Sequence, residues 1–159
     1  MSETNVFDPG PWERELGPAR GTRLGPAGGC RELGCTIYEL DPGAQAAPYH
    51  LHHGNEEMLV VLAGELELRT PEGTRTVAAG ALVGFPVGPG GAHRVRNTSS
   101  GRARYLVVST MRFPDVAEQL DTGTVLPMKG PGDGWAFAAD AAGDYMELTL
   151  AALRADPGA

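Results

Sequence analysis

Histidine is rare in this chain and concentrated. Three of the four histidines lie within four consecutive positions, and the set is His50, His52, His53 and His93. Alternate residues of a β-strand point to one face, so His50 and His52 are predicted to lie side by side. The dipeptide Gly54-Asn55 is typical of a two-residue hairpin turn, and with that turn His52 lies opposite Glu57, at a Cβ separation of about 5 Å. Two imidazoles and a carboxylate on one face suit a divalent first-row transition metal.

The same hairpin predicts the surroundings of these groups. Leu59 and Val61 follow Glu57 at two-residue intervals and therefore share its face, where they are predicted to form an apolar floor. His93 begins a later strand after a Gly/Pro-rich loop and is the expected fourth ligand. His53 and Glu56 are expected to face solvent, although a bulge at the turn would exchange Glu56 with Glu57. The predicted metal site is therefore His50, His52, Glu57 and His93, and no catalytic residue beyond these ligands is assigned.

The segments that carry these residues are predicted to be short strands. Strands are predicted, from period-two patterns or short apolar runs, over residues 35–40, 46–53, 56–62, 65–69, 74–78, 81–85, 93–97 and 104–108, separated by Gly- and Pro-containing turns. Seven or more strands at a spacing of about 8–12 residues are typical of an all-β sandwich or barrel. We therefore predict an all-β core over residues 34–112. Tyr38, Tyr49 and Phe85 are expected to pack in the core or at a pocket rim rather than contact a substrate.

The flanks carry weaker patterns. Residues 1–33 are punctuated by glycine and proline and are predicted to be an extended arm that packs on the barrel, with little regular structure. The arm is suited to covering a sheet edge, either of its own barrel or of a partner's barrel. Residues 113–159 are predicted to be an extension, with a helical turn over 113–120 and a flexible break over 130–134. A short helix is expected over 145–154, capped by Asp144 and followed by Pro157-Gly158.

Length and charge exclude several classes. The chain has 159 residues, 42% of them hydrophobic, which fits one folded domain. A net charge of −7 disfavours nucleic acid and anionic membranes as partners. No signal peptide and no transmembrane helix are expected from the sequence, and Cys30 and Cys35 lack the spacing of a redox or zinc motif. A cytoplasmic location is the resulting expectation.

The histidine motifs resemble the two signature motifs of the cupin superfamily. The first is present as Gly43, His50-Leu51-His52, Glu57 and Gly64, and the second as Gly80, Pro86-Val87-Gly88, His93 and Asn97. Six residues rather than five separate Gly43 from His50, and four rather than two separate Gly88 from His93. Both differences fall in loops, where insertions are tolerated. The resemblance covers about residues 34–110 and is strongest to small single-domain bacterial cupins of the conserved-barrel (type 2) group, whose trailing segment is similar to Phe113-Pro114-Asp115.

This resemblance implies a double-stranded β-helix, or jelly roll, with a metal deep in the barrel and frequent homodimers. Asn97 is expected to stabilise a turn rather than to bind metal. Fe, Mn, Ni, Co and Zn all accept a three-histidine, one-glutamate ligand set, so the sequence does not select the metal. The predicted partner is a small-molecule ligand.

Three functions fit this reading. The first is a metal-dependent enzyme acting on a small oxygen-rich molecule by oxygenase, decarboxylase or isomerase chemistry. The second is a non-enzymatic, metal-containing barrel that binds or senses a small ligand. A structural barrel with a vestigial site is a third option, which the four intact ligand residues disfavour.

Overall fold

Strands dominate the computed structural model, which describes residues 3–155. In chain order, the strands of this part are β1 (Arg14–Leu16), β2 (Ala19–Arg23), β3 (Leu33–Leu40), β4 (His50–His52), β5 (Glu57–Ala63), β6 (Glu65–Thr70), β7 (Gly73–Ala78), β8 (Leu82–Phe85), β9 (Arg94–Arg96), β10 (Ala103–Thr110), β11 (Asp115–Gln119), β12 (Thr124–Gly130), β13 (Asp133–Gly134) and β14 (Phe137–Ala138). The helices are α1 (Leu24–Ala27) and α2 (Tyr145–Ala155), with short 3₁₀ turns at Pro89–Gly91 and Ala139–Ala141.

One layer of the fold is a six-stranded antiparallel sheet in the order β1-β2-β3-β10-β5-β8. Its centre is the pairing of β3 and β5 with β10, which places Tyr38 opposite Tyr105 and Tyr105 opposite Val61. Directly paired residues share a face, so these three side chains point to the same side of the sheet.

The second layer consists of two smaller sheets. One has the order β13-β12-β11-β4, with β14 also paired to β12, and the other has the order β7-β6-β9. They meet where His50 and His93 form an antiparallel bridge. The two backbone amides donate to the opposite carbonyls, with N···O distances of 3.0 and 2.8 Å.

The core fills the space between the two layers. Fully buried residues include Leu40 and Leu59 from the first layer and Leu66 and Leu68 from the second. The predicted floor residues belong to this core, since Leu59 and Val61 are 0% and 1% exposed. The expectation of an all-β barrel is confirmed, and the two facing layers form a jelly roll.

The predicted hairpin between β4 and β5 is wrong. β4 pairs with β11, so that His52 lies opposite Ala117, whereas β5 pairs with β10 and β8 in the other layer. His52 is therefore not the cross-strand neighbour of Glu57. The alternation along each strand is nevertheless as predicted, because Leu51 is buried behind His50 and His52 while His53 is exposed.

The N-terminal arm contains more regular structure than expected. β1 and β2 form a hairpin, and β2 pairs with β3 along its length, so the arm covers an edge of its own barrel. Buried Glu39 on β3 accepts hydrogen bonds from Arg20 on β2 and Arg104 on β10. This charged cluster ties three adjacent strands together. The division of the chain at residues 33 and 112 stays a prediction, and strand pairing crosses both points.

The C-terminal flank also differs from the expectation. The predicted helical turn over 113–120 is wrong, because β11 (Asp115–Gln119) pairs with both β4 and β12. Helix α2 is confirmed, and the Asp144 carboxylate accepts from the amides of Met146 and Glu147 at 2.9 and 3.0 Å. Pro157-Gly158 lies outside the described residues. Neither helix within residues 3–155 has the length and apolar character that crossing a bilayer requires.

Candidate metal centre

The structure brings all four predicted ligand residues together between the two layers of the barrel. His50 and His52 come from β4, Glu57 from the start of β5, and His93 from the residue before β9. One donor atom from each of His50, His52 and Glu57 lies within 4.8 Å of the others. The Glu57 carboxylate is 3.7 Å from His52 Nε2 and 3.3 Å from His93 Nε2. The group His50, His52 and Glu57 can therefore bind a metal ion, and His93 lies beside it.

Each imidazole is fixed by a hydrogen-bond acceptor at Nδ1. His50 Nδ1 lies 2.9 Å from the Pro48 carbonyl, and His93 Nδ1 lies 2.9 Å from the Gly91 carbonyl. His52 Nδ1 lies 2.7 Å from the Asp115 carboxylate. Because these oxygens only accept, Nδ1 carries a proton in each ring, so Nε2 is the nitrogen whose lone pair can bind a metal. This is the orientation that histidine ligands adopt around metals, so the residues fit a metal ion.

Asp115 is the site residue that sequence reasoning missed. Asp115 is 2% exposed, and its carboxylate accepts from the Gly54 amide and the Asn55 side chain, both at 2.7 Å, as well as from His52. Burial acts to raise the pKa of Asp115, but the hydrogen bonds from Asn55 and His52 hold it below its usual value. The ionised carboxylate orients His52 and ties β11 to the β4–β5 connection.

The loop before β9 positions His93. Gly91 has no room for a side chain, because a Cβ there would lie 1.7 Å from the Pro86 carbonyl oxygen. His93 is 4% exposed, and its ring stacks on Phe85, with ring centroids 3.8 Å apart and planes at 5°. Phe85 is thus a core residue that supports the site, as expected. The two additional loop residues relative to the second signature motif do not displace His93 from the cluster.

The electrostatics of the cluster favour a cation. Burial, together with the neighbouring His93, lowers the pKa of His50 to about 4. Burial acts to raise the pKa of Glu57, but the three surrounding histidines hold it below its usual value. At neutral pH the cluster therefore combines a neutral His50 with an ionised Glu57, which is the protonation state that metal binding requires.

A cavity of about 110 Å³ opens beside His50, Glu57 and His93. Its other walls include four hydroxyl side chains, which belong to Thr36, Tyr38, Tyr105 and Ser109. Tyr38 and Tyr105 stack on each other with ring centroids 5.2 Å apart. Tyr38 therefore lines the cavity, and whether it contacts a substrate there stays a prediction. Such a surface suits a small molecule with several oxygen atoms.

Several nearby residues lie outside the cluster. His53 is exposed and pairs with Glu118 at 2.6 Å, and Glu56 is also exposed. Asn97 is fully buried and donates to the Leu40 and Gly101 carbonyls at 2.9 and 2.7 Å. It therefore stabilises a turn, as predicted.

Fold and site together define a class: a two-layered all-β barrel with a histidine–carboxylate cluster beside an internal cavity. Residues 36–109 match the family model described as Cupin domain. The chain therefore contains a cupin-type domain, as the two signature motifs indicated. No curated protein sequence matches the chain.

Solved structures give the same fold. A sugar phosphate isomerase of the cupin superfamily from Silicibacter pomeroyi is 28% identical, with a TM-score of 0.72 and 79% of each chain covered. A putative sugar phosphate isomerase from Acidithiobacillus ferrooxidans is 27% identical, with a TM-score of 0.71 and again 79% of each chain covered. The polyketide cyclase RemF from Streptomyces resistomycificus is 24% identical, with a TM-score of 0.57, over 72% of this chain and 83% of its own. At that identity the last similarity concerns the fold alone.

Asp115→Asn is expected to weaken metal binding about 10- to 100-fold, as for other groups that orient a histidine ligand. The amide leaves His52 without a charged acceptor and can direct its NH₂ group at the Nδ1 proton. A Zn²⁺ titration against a competing chelator measures the affinity. The matched control is Asp133→Asn, a change at an exposed carboxylate on β13, and thermal melting shows that each variant is folded. Equal Zn²⁺ affinity of Asp115→Asn and the unmodified protein would contradict this role.

Proposed function

We propose that this protein is a metal-dependent enzyme acting on a small oxygen-rich molecule, with His50, His52, Glu57 and His93 as the four metal ligands. The observation that carries this proposal is the anchoring of all three imidazoles at Nδ1, which leaves three Nε2 atoms beside the Glu57 carboxylate. Solvent-exposed surface histidines are not expected to show this common, buried hydrogen-bonding arrangement. Fe, Mn, Ni, Co and Zn remain equally compatible with the ligand set.

The chain's own residues supply substrate binding beside these ligands. A divalent ion would act as a Lewis acid toward a bound oxygen atom of the substrate. Burial raises the pKa of Tyr105 well above its usual value, and Tyr38 and Glu57 add to the effect, so this hydroxyl stays protonated and can donate a hydrogen bond. Tyr105 thereby positions a carbonyl or hydroxyl oxygen. Val95 and Val107, which also line the cavity, limit the water around the bound molecule.

Among the possible reactions, we favour isomerisation of a hydroxy-carbonyl compound over oxygenation and decarboxylation. The support is the similarity, at 27% and 28% identity over 79% of the chain, to two structures whose names describe sugar phosphate isomerases. The hydroxyl-lined cavity is compatible with such a substrate. The alternative is a barrel that binds the same kind of molecule without converting it.

The ligand assignment predicts the metal content of the purified protein. The double variant His50→Ala/His93→Ala is expected to lose bound metal, because two nitrogen ligands are removed from one site. The control variant His53→Ala removes an exposed histidine and is expected to keep the metal content of the unmodified protein. Elemental analysis by mass spectrometry measures both and identifies the metal. Unchanged metal content in the double variant would contradict the proposed site.

A turnover assay distinguishes an enzyme from a barrel that only binds the molecule. The protein is incubated in D₂O with a panel of short aldoses, ketoses and their phosphates, and ¹H NMR follows loss of the proton next to the carbonyl. Isomerisation by proton transfer predicts deuterium incorporation that Tyr105→Phe slows about tenfold or more, at unchanged metal content. Binding of a panel member with neither exchange nor conversion to its isomer would favour the binding barrel. Oxygen consumption or CO₂ release instead of exchange would favour the other two reactions.

We also propose that the protein is a homodimer, with a second copy of the chain covering helix α2. Five large apolar residues of this eleven-residue helix are exposed, namely Tyr145, Met146, Leu148, Leu150 and Leu153. A helix of this length is marginal in water unless its apolar face is packed. The barrel itself exposes Leu33 and Leu82, so one chain offers both an apolar helix and an apolar sheet surface to a symmetry-related copy.

Light scattering after size exclusion tests the dimer. The expected mass is twice the 16.7 kDa of one chain, and Leu150→Glu/Leu153→Glu is expected to give the mass of one chain. Ala151→Glu, at an exposed position of the same helix outside this apolar set, is the matched control and should remain dimeric. A single-chain mass for the unmodified protein would exclude the dimer. The cytoplasmic location stays a prediction.

A further inference from the structure

A row of paired residues runs across the first layer from its N-terminal edge to the cavity. Arg14 on β1 lies opposite Gly21 on β2, and Gly21 lies opposite Tyr38 on β3. Tyr38 in turn lies opposite Tyr105. Because directly paired residues in antiparallel strands point to one face, Arg14 shares the face of the two tyrosines that line the cavity.

Gly21 leaves the space between Arg14 and Tyr38 open. A Cβ at this position would lie 2.9 Å from the Tyr38 ring, so the ring extends over β2 toward β1 only because residue 21 is glycine. A recess of about 30 Å³ lies here, with Arg14, Gly21, Tyr38 and Ala46 among its walls. Tyr38 and Ala46 also line the larger cavity, so the recess adjoins the cavity beside the candidate metal centre.

Arg14 is the cation available at this point. Within residues 3–155 it makes no ion pair, whereas Arg20, which also borders the recess, is committed to Glu39. The walls of the larger cavity contain no lysine or arginine. Burial raises the pKa of Tyr38, and Arg14 acts in the opposite direction, which reflects the closeness of the guanidinium to the phenol.

The two spaces suit different parts of one molecule. The larger cavity, with its hydroxyl side chains and the candidate metal ligands, suits a hydroxy-carbonyl unit. A charged end of the same molecule meets no cation in those walls and would extend past Tyr38 to the mouth of the recess, where Arg14 is exposed.

We propose that Arg14 binds the anionic end of the substrate, so that the substrate is a small hydroxy-carbonyl compound with a terminal phosphate or carboxylate. The proposal rests on the proposed function, since the metal centre holds the other end of the molecule. Arginine suits this task because its planar guanidinium can donate two parallel hydrogen bonds to either anion. The N-terminal hairpin thus determines specificity in addition to covering a sheet edge.

Three probes with the same hydroxyketone unit test this inference by isothermal titration of the purified protein with its native metal. Dihydroxyacetone is neutral, dihydroxyacetone phosphate carries a phosphate, and 5-hydroxylevulinate carries a carboxylate. At least one anionic probe is expected to bind about tenfold more tightly than dihydroxyacetone, and Arg14→Gln is expected to remove that difference. The anion that loses affinity in the variant identifies the class of substrate. Arg75→Gln, a change at an exposed arginine on β7, is the matched control.

The outcomes distinguish the two proposals. Equal affinity of the unmodified protein for all three probes, no binding of any probe, or no effect of Arg14→Gln on the preferred anion, overturns the role of Arg14. None of these results changes the metal content, which is measured in the same samples and in His50→Ala/His93→Ala. Loss of the assigned metal site would instead contradict the proposed function, whichever probe binds.

Discussion

The backbone bridge between His50 and His93 is the interaction on which this structure depends. It joins the sheet that contains β4 to the sheet that contains β9, and the reciprocal amide–carbonyl hydrogen bonds measure 3.0 and 2.8 Å. The same pairing sets two imidazoles side by side, with ring centroids 4.6 Å apart. Closure of the second layer and assembly of the candidate metal centre therefore depend on the same backbone pairing. A change that opens this junction affects both the fold and the site.

The sequence predicts the features of this site that depend on neighbouring residues, but not those that depend on residues far apart in the chain. Alternation along a strand is a local property, so the inward direction of His50, His52 and Glu57 and the outward direction of His53 follow from the sequence. Strand pairing is not local. Gly54-Asn55 favoured a hairpin, yet β4 pairs with β11, more than sixty residues later, and β5 pairs with β10. His52 and Glu57 meet because they face each other from two layers, which yields the same cluster from a different topology.

Asp115 and the N-terminal hairpin show what sequence reasoning lacked. The trailing segment Phe113-Pro114-Asp115 was visible as part of a family resemblance, but the role of its carboxylate follows only from the position of β11 beside β4. The arm was expected to be irregular because of its glycines and prolines. Gly21 is one of these residues, and in the structure it lies within a strand, where its missing side chain admits the Tyr38 ring. Frequent glycines suggest turns, but a glycine within a strand can instead allow close packing in a sheet.

The cluster also links metal binding to the stability of the barrel. Without a cation, three imidazole lone pairs and a carboxylate converge in a largely buried space, and the His50 pKa of about 4 reflects the resistance of that environment to protonation. The folded protein then binds fewer protons at His50 than the unfolded chain does, so this histidine lowers stability as the pH falls from about 6.5 through 4. A bound divalent ion would satisfy the same lone pairs without added protons and would stabilise the folded state. Because His50 and His93 also join the two sheets of the second layer, that stabilisation would act at the junction that closes the barrel.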